Sequence, residues 1–93
     1  MYKVRLSEEA EKVFAKCNKA LAKKLARCFR NLENSPRSHF NIKPLKGNYT
    51  GYYRYRVGDY RVVYSIEDEL VVVNVFLLLI AARFMNNWRI FDF

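Results

Sequence analysis

Three arginines flank a predicted tight turn in the second half of the chain. Arg54 and Arg56 precede Gly58-Asp59, and Arg61 follows it. The residues on both sides are mostly aromatic or β-branched, which is typical of a β-hairpin, and glycine at the first turn position favours a type II′ turn. Guanidinium groups carry permanent charge and forked hydrogen-bond donors, so a cluster of them is suited to binding a phosphate.

The hairpin register decides whether these arginines meet. A two-residue turn pairs Arg56 with Arg61 and Arg54 with Val63. Paired side chains project to the same side of a sheet, so one face collects these four residues. The opposite face is expected to pack under helices, and it collects Tyr53, Tyr55, Val62 and Tyr64. The alternative to a phosphate site is a set of solvated arginines whose stems cover apolar surface.

The rest of the chain must position this hairpin. Residues 2–6 alternate between apolar and basic, as in a half-buried strand, and Ser7 and Asn18 can cap two helices that end before Pro36. Residues 35–50 are polar and are expected to form a loop that can include a short strand near 41–45. Further strands are expected over 52–57 and 60–66, and over 70–80, where an apolar run suggests burial on both faces. This order predicts an α+β fold, β-α-α-β-β-β, with a two-helix hairpin on one face of a mainly antiparallel sheet of three to four strands.

Charge indicates a polyanionic partner. The 93 residues suit a single domain, 1–93, with a net charge of +8. Residues 1–46 hold twelve basic and four acidic side chains, whereas residues 47–93 hold five of each. Such an excess favours RNA, DNA or an acidic protein as partner, although a basic surface can also serve solubility alone. The basic face of the second helix is the best phosphate-contacting surface outside the sheet.

No other group of residues suggests chemistry. His39, the only histidine, is expected in a loop with a structural or merely exposed role. Cys17 and Cys28 lie on apolar helix stripes and read as reduced core residues. No metal site and no cofactor is predicted. The chain shows neither a secretion signal nor an apolar run of about 20 residues, so a cytoplasmic protein without membrane contact is expected.

Several segments together resemble one protein family. The element order, the helix-ending NSPR at 34–37, the PLKG at 44–47 and above all GYYRYRVGDYRVVY at 51–64 are similar to RelE-type toxins of the RelE/ParE superfamily of toxin–antitoxin modules. The resemblance implies a fold like that of microbial ribonucleases and metal-independent cleavage of mRNA in the ribosomal A site. It also implies a RelB-like antitoxin, the ribosome and mRNA as partners.

The resemblance assigns roles by position. Arg61 matches the arginine that stabilises the transition state, Arg54 stands where a basic residue helps to activate the 2′-hydroxyl, and Arg56 supports the same phosphate. Arg83 corresponds to a basic residue after the last strand, and Trp88 stands in for a base-stacking tyrosine that this chain lacks. The expected contacts to RNA and the ribosome are Lys23, Arg27, Arg30, Lys43, Lys46 and Trp88.

Other functions fit the same resemblance. The altered C-terminal segment, ARFMNNWRIFDF, can also be apolar cover for the sheet or the terminus of a weakened toxin. A ParE-like inhibitor of DNA gyrase would use the same fold without nuclease chemistry. A third possibility is an inactive chain that retains only antitoxin binding.

Overall fold

A computed structural model describes the backbone of residues 1–80 and the side chains of residues 1–76. The elements follow in the order β1 (Lys3–Leu6), α1 (Glu8–Lys16), α2 (Lys19–Asn34), β2 (Ile42–Pro44), a 3₁₀ turn (Gly47–Tyr49), β3 (Tyr52–Val57), β4 (Tyr60–Glu67) and β5 (Val72–Ile80). The predicted α+β class and the two-helix hairpin are confirmed.

Side-chain caps set the starts of both helices. The Ser7 hydroxyl accepts a hydrogen bond from the Ala10 amide at 3.1 Å, and the Asn18 side-chain Oδ1 accepts one from the Leu21 amide at 2.9 Å. The Ser7 hydroxyl also donates to the Phe76 carbonyl at 2.6 Å, which ties the start of α1 to β5. Both predicted N-caps are therefore confirmed.

The sheet has five strands in the order β1-β5-β4-β3-β2, and the prediction of three to four strands is wrong. The extra pairing is between β1 and β5, which run parallel with Val4 opposite Val73. All other neighbours are antiparallel. Local alternation identified β1 as a strand, but its partner lies at the far end of the described chain, and no local pattern specifies a pairing of that sequence separation.

The main core lies between the helices and one face of the sheet. Leu25, Cys28 and Leu32 of α2 are fully buried against this face. The sheet contributes Tyr55, Val57, Val62, Tyr64, Val73 and Val75. The Tyr64 hydroxyl donates to the Pro36 carbonyl at 2.6 Å, so a buried polar group is satisfied where the chain leaves α2. Burial raises the pKa of the Cys28 thiol, as expected for a core cysteine.

Residues 70–76, the part of the apolar run whose side chains are described, are less buried than the sequence predicts. Val72, Val73 and Val75 are buried, but Leu70 is 63% exposed and Phe76 is 39% exposed. Neighbouring residues of β4 pair with Val75 and with residue 77, so Phe76 is the additional residue of a β-bulge. None of the helices within the described part of the chain is long and apolar enough to cross a membrane.

Candidate functional site

The β3–β4 hairpin has the predicted register. Arg56 lies opposite Arg61 and Arg54 lies opposite Val63. Gly58 has a φ of +55° whereas Asp59 does not have a positive φ, the combination that distinguishes a type II′ turn from a type I′ turn. The turn thus brings the three arginines to the sheet face away from the helices, which we call the arginine face.

Burial separates the three arginines. Arg54 and Arg61 are only 3% and 4% exposed, so solvated arginines are the wrong interpretation at these two positions. Arg56 is exposed. A guanidinium group remains charged at every relevant pH, so the fold holds two cations at low exposure on this face.

Backbone carbonyls fix both buried guanidinium groups. The Arg54 Nη1 donates to the Asn41 carbonyl at 2.8 Å. The Arg61 Nη1 donates to the carbonyls of Gly58 and Tyr60, each at 3.2 Å, on the turn beside its own strand. The hairpin turn thereby positions Arg61, and the segment leading into β2 positions Arg54.

A second small core lies on the arginine face. Leu45 and Val63 are buried there, with Tyr49 and Tyr52 packed against them. Residues 45–49 therefore pack over part of this face. The strand pattern correctly assigned each side chain to a face, but it contains no information about a loop that folds back over that face.

Two further basic residues extend the arginine face. Lys43 of β2 lies opposite Arg54 and is exposed. Arg5 of β1 is also exposed and lies opposite Asn74, whose β4 neighbour Ser65 is on the arginine face. The sequence analysis missed Arg5 because the partner of β1 was unknown. The charge alternation in residues 2–6 was its only signal.

The predicted RNA-binding residues of α2 do not lie on this face. Lys23, Arg27 and Arg30 are exposed on α2, which covers the opposite side of the sheet. Lys46 is exposed immediately before the 3₁₀ turn. The predicted residues Arg83 and Trp88 lie outside the described part of the chain.

His39 takes part in a three-ring stack at the β2 edge of the sheet. Its ring packs on Tyr55 with centroids 5.0 Å apart, and on Phe40 with centroids 4.6 Å apart. The His39 Nδ1 accepts a hydrogen bond from the Asn41 amide at 3.1 Å. The structural role expected for His39 is confirmed, whereas the aromatic stack itself was not predicted.

The connection after α2 is fixed by an exposed ion pair. The Arg37 guanidinium binds both carboxylate oxygens of Asp68, at 3.0 and 2.7 Å, and the Tyr2 hydroxyl donates to the same carboxylate at 2.7 Å. The hydrogen bond from Arg37 lowers the pKa of Asp68, and that from Tyr2 lowers it further. Within residues 1–80 no group of three or more His, Cys, Asp or Glu residues is placed to hold a metal ion.

Comparison with known proteins places this arrangement in a family. Residues 4–83 match the family described as the ParE toxin of the type II toxin–antitoxin system parDE. The chain belongs to the RelE/ParE superfamily of toxins. A comparison with curated protein sequences finds no significant match.

Solved toxin structures share the fold. The archaeal RelE–RelB complex from Pyrococcus horikoshii OT3 matches at 31% identity with a TM-score of 0.75, over 88% of this chain and 97% of that chain. The RelBE complex of E. coli matches at 27% identity with a TM-score of 0.69, over 84% and 94%. A YoeB/ParE toxin from Agrobacterium tumefaciens, 19% identical with a TM-score of 0.75 over 84% and 96%, supports the fold alone.

Proposed function

We propose that this toxin is a metal-independent endoribonuclease that cuts mRNA on the ribosome, with the arginine face as its phosphate site. The observation that carries the proposal is the gathering of Arg54, Arg56 and Arg61 across one hairpin, with Arg54 and Arg61 held by backbone carbonyls. Preorganised cations of this kind stabilise developing charge without reorganising during the reaction.

The reaction needs only positioning and charge. The 2′-hydroxyl of one nucleotide gives up its proton to water and attacks the adjacent phosphate. The bond from phosphorus to the 5′-oxygen of the next nucleotide breaks, and this oxygen takes up a proton from water, so the products are a cyclic phosphate and a 5′-hydroxyl. Arg61 stabilises the pentavalent phosphorane, and Arg56 holds the same phosphate. Arg54 favours the developing oxyanion electrostatically, because a guanidinium group is a poor proton acceptor at neutral pH. Arg83 and Trp88 lie outside the described residues; the roles proposed for them, phosphate binding and base stacking, are those that the family resemblance implies.

The ribosome and an antitoxin are the proposed partners. Lys23, Arg27 and Arg30 on α2, together with Lys43 and Lys46, would contact ribosomal RNA. The three α2 residues lie on the side of the sheet opposite the arginine face, which suits a partner that surrounds the toxin. The relatives from Pyrococcus horikoshii and E. coli were crystallised as RelE–RelB and RelBE complexes, which supports a RelB-like antitoxin for this chain. A cytoplasmic location follows from these partners.

Primer extension on an mRNA incubated with ribosomes tests the nuclease. Cleavage within A-site codons is expected only when ribosomes are present. Arg61→Ala is expected to lower the cleavage rate by about 10²–10³-fold, as for loss of one transition-state donor. Lys12→Ala is the control, since Lys12 is an exposed cation of α1 on the opposite side of the sheet, and its loss is expected to leave cleavage unchanged. Equal cleavage by the Arg61 variant and the wild type contradicts the proposed site.

A second candidate function is inhibition of DNA gyrase. The match of residues 4–83 to the ParE toxin family favours it. A supercoiling assay with purified gyrase distinguishes the two functions. Inhibition of supercoiling without ribosome-dependent cleavage would assign the chain to the ParE activity, and cleavage without inhibition would assign it to the nuclease.

A further inference from the structure

Phe40 is the most exposed large hydrophobic side chain in the described part of the chain, at 89%. A single exposed apolar side chain is ordinary on a protein surface. Phe40 differs because its ring is held nearly parallel to His39, at 21°, with 4.6 Å between centroids. One flat side of the ring is thus backed by the protein while nearly all of the side chain faces solvent.

The backing of Phe40 is anchored in the fold. His39 stacks at 27° on Tyr55, which is 5% exposed and belongs to the main core. The Asn31 side-chain amide of α2 donates to the Tyr55 hydroxyl at 2.8 Å. Since the His39 Nδ1 accepts from the Asn41 amide, the neutral ring carries its proton on Nε2, which faces the Tyr55 hydroxyl at 3.4 Å. The orientation of the stack is therefore set by contacts to α2 and to β3.

A cation on α2 lies near the stack. Arg27 lies one helical turn before Asn31 on the same side of α2. Burial raises the pKa of Tyr55, while the Asn31 hydrogen bond and the charge of Arg27 act in the opposite direction, so this guanidinium group lies within electrostatic range of the stack.

Aromatic rings next to cations are the usual means of binding single-stranded nucleic acid without reading its sequence. We propose that Phe40, backed by His39 and Tyr55, is a stacking platform for an unpaired RNA base. The inference deepens the proposed function, because it assigns a base contact to the RNA that the arginine face would bind. The charge of Arg27 near the stack favours RNA over an apolar protein segment, which would gain nothing from a cation.

One residue links the platform to the arginine face. The Asn41 amide donates to His39, and the Asn41 carbonyl accepts hydrogen bonds from the Arg54 Nη1 at 2.8 Å and from the Arg56 amide at 3.0 Å. A base stacked on Phe40 would therefore lie at the edge of the sheet, beside the strand that carries Arg54 and Arg56.

The experiment measures RNA binding separately from cleavage. The probe is a short single-stranded RNA with 2′-O-methyl groups throughout, which removes the attacking hydroxyl, and with one fluorescent 2-aminopurine base. Phe40→Ala is expected to weaken binding by about 5- to 150-fold, the range for loss of one base–aromatic stack, and to abolish the quenching of 2-aminopurine. Phe40→Trp is expected to retain both affinity and quenching.

Two controls separate stacking from other effects. Leu70→Ala removes another exposed apolar side chain, 63% exposed and beside the acidic residues 67–69, and is expected to leave binding unchanged. Phe40→Ala is expected to leave the dependence of affinity on salt unchanged, whereas Arg27→Ala is expected to reduce the slope by about 0.7, as for one phosphate contact on a single strand.

Unchanged affinity and quenching in Phe40→Ala would overturn the platform. The platform would also be overturned if this variant weakened binding of a purified antitoxin but not of the RNA probe, since the ring would then belong to a protein interface. Failure of the nuclease proposal gives a different pattern: wild type and Arg61→Ala cleave equally, while Phe40→Ala still loses binding of the probe.

Discussion

Arg56 and Arg61 lie directly opposite each other, so their repulsion is expected to destabilise the folded protein. The Arg56 amide donates to Asn41 on the β2 side, so this residue and Arg61 form a non-hydrogen-bonded pair of the β3–β4 hairpin. Side chains are closest in such pairs, and like charges directly opposite each other destabilise a sheet by about 0.2–1 kcal/mol. Arg56→Gln is therefore expected to raise the free energy of unfolding by this amount while weakening RNA binding.

Thermal unfolding followed by circular dichroism measures the gain. For a domain of this size, 1 kcal/mol corresponds to about 4–8 °C in Tm, so an increase of up to about 8 °C is expected at low salt. The increase is expected to shrink at 1 M salt, where the Debye length falls to about 3 Å. Arg5→Gln is the matched control: this exposed arginine faces Asn74 and no cation in its paired strand, so its loss relieves no such repulsion.

Three results would refute the repulsion argument. A lower Tm for Arg56→Gln would mean that contacts of the Arg56 stem outweigh the repulsion. An increase that persists at high salt would exclude a charge effect. An equal increase in Arg5→Gln would show that any arginine lost from this face stabilises the sheet, independently of the cross-strand pairing.

Two further predictions concern the scaffold around the site. Tyr64→Phe removes the donor to the buried Pro36 carbonyl, 2.6 Å away, and is expected to lower the free energy of unfolding in urea by about 1–3 kcal/mol. An unchanged denaturation midpoint would show that this hydrogen bond does not contribute to stability. Arg37 lowers the pKa of Asp68, so the contribution of this carboxylate to stability is present above its unfolded pKa and is lost as pH falls through the lower folded pKa. Asp68→Asn is expected to reduce the loss of stability on acidification, measured as Tm against pH, and an unaltered pH profile would contradict it.

The local chemistry of the chain was sufficient to predict the hairpin. Gly58 at the first turn position determines the turn type, the turn type determines the register, and the register determines that Arg54 and Arg61 share a face. The caps at Ser7 and Asn18 were predictable for the same reason, because each hydrogen bond joins residues three apart in the chain. Short-range rules of this kind need no knowledge of the rest of the fold.

Features that depend on distant contacts could not be predicted in this way. The pairing of β1 with β5 joins Val4 to Val73, and it alone brings Arg5 onto the arginine face. The burial of Arg54 accompanies a carbonyl contact to Asn41, in a segment whose path after α2 has no periodic pattern. Phe40 appeared only as one aromatic residue in a polar loop, with nothing in its neighbours to indicate a stack on His39.

Asn41 shows why the candidate site spans the edge of the sheet. Its amide orients His39, and its carbonyl serves both the Arg54 guanidinium group and the backbone of Arg56. A displacement of Asn41 would therefore affect both the ring stack and a buried cation, since its N–H contacts the one and its C=O contacts the other. The two proposals therefore both depend on Asn41, but different assays test them. Cleavage by the Arg61 variant tests the phosphate chemistry, and binding of the RNA probe by the Phe40 variants tests the base stacking.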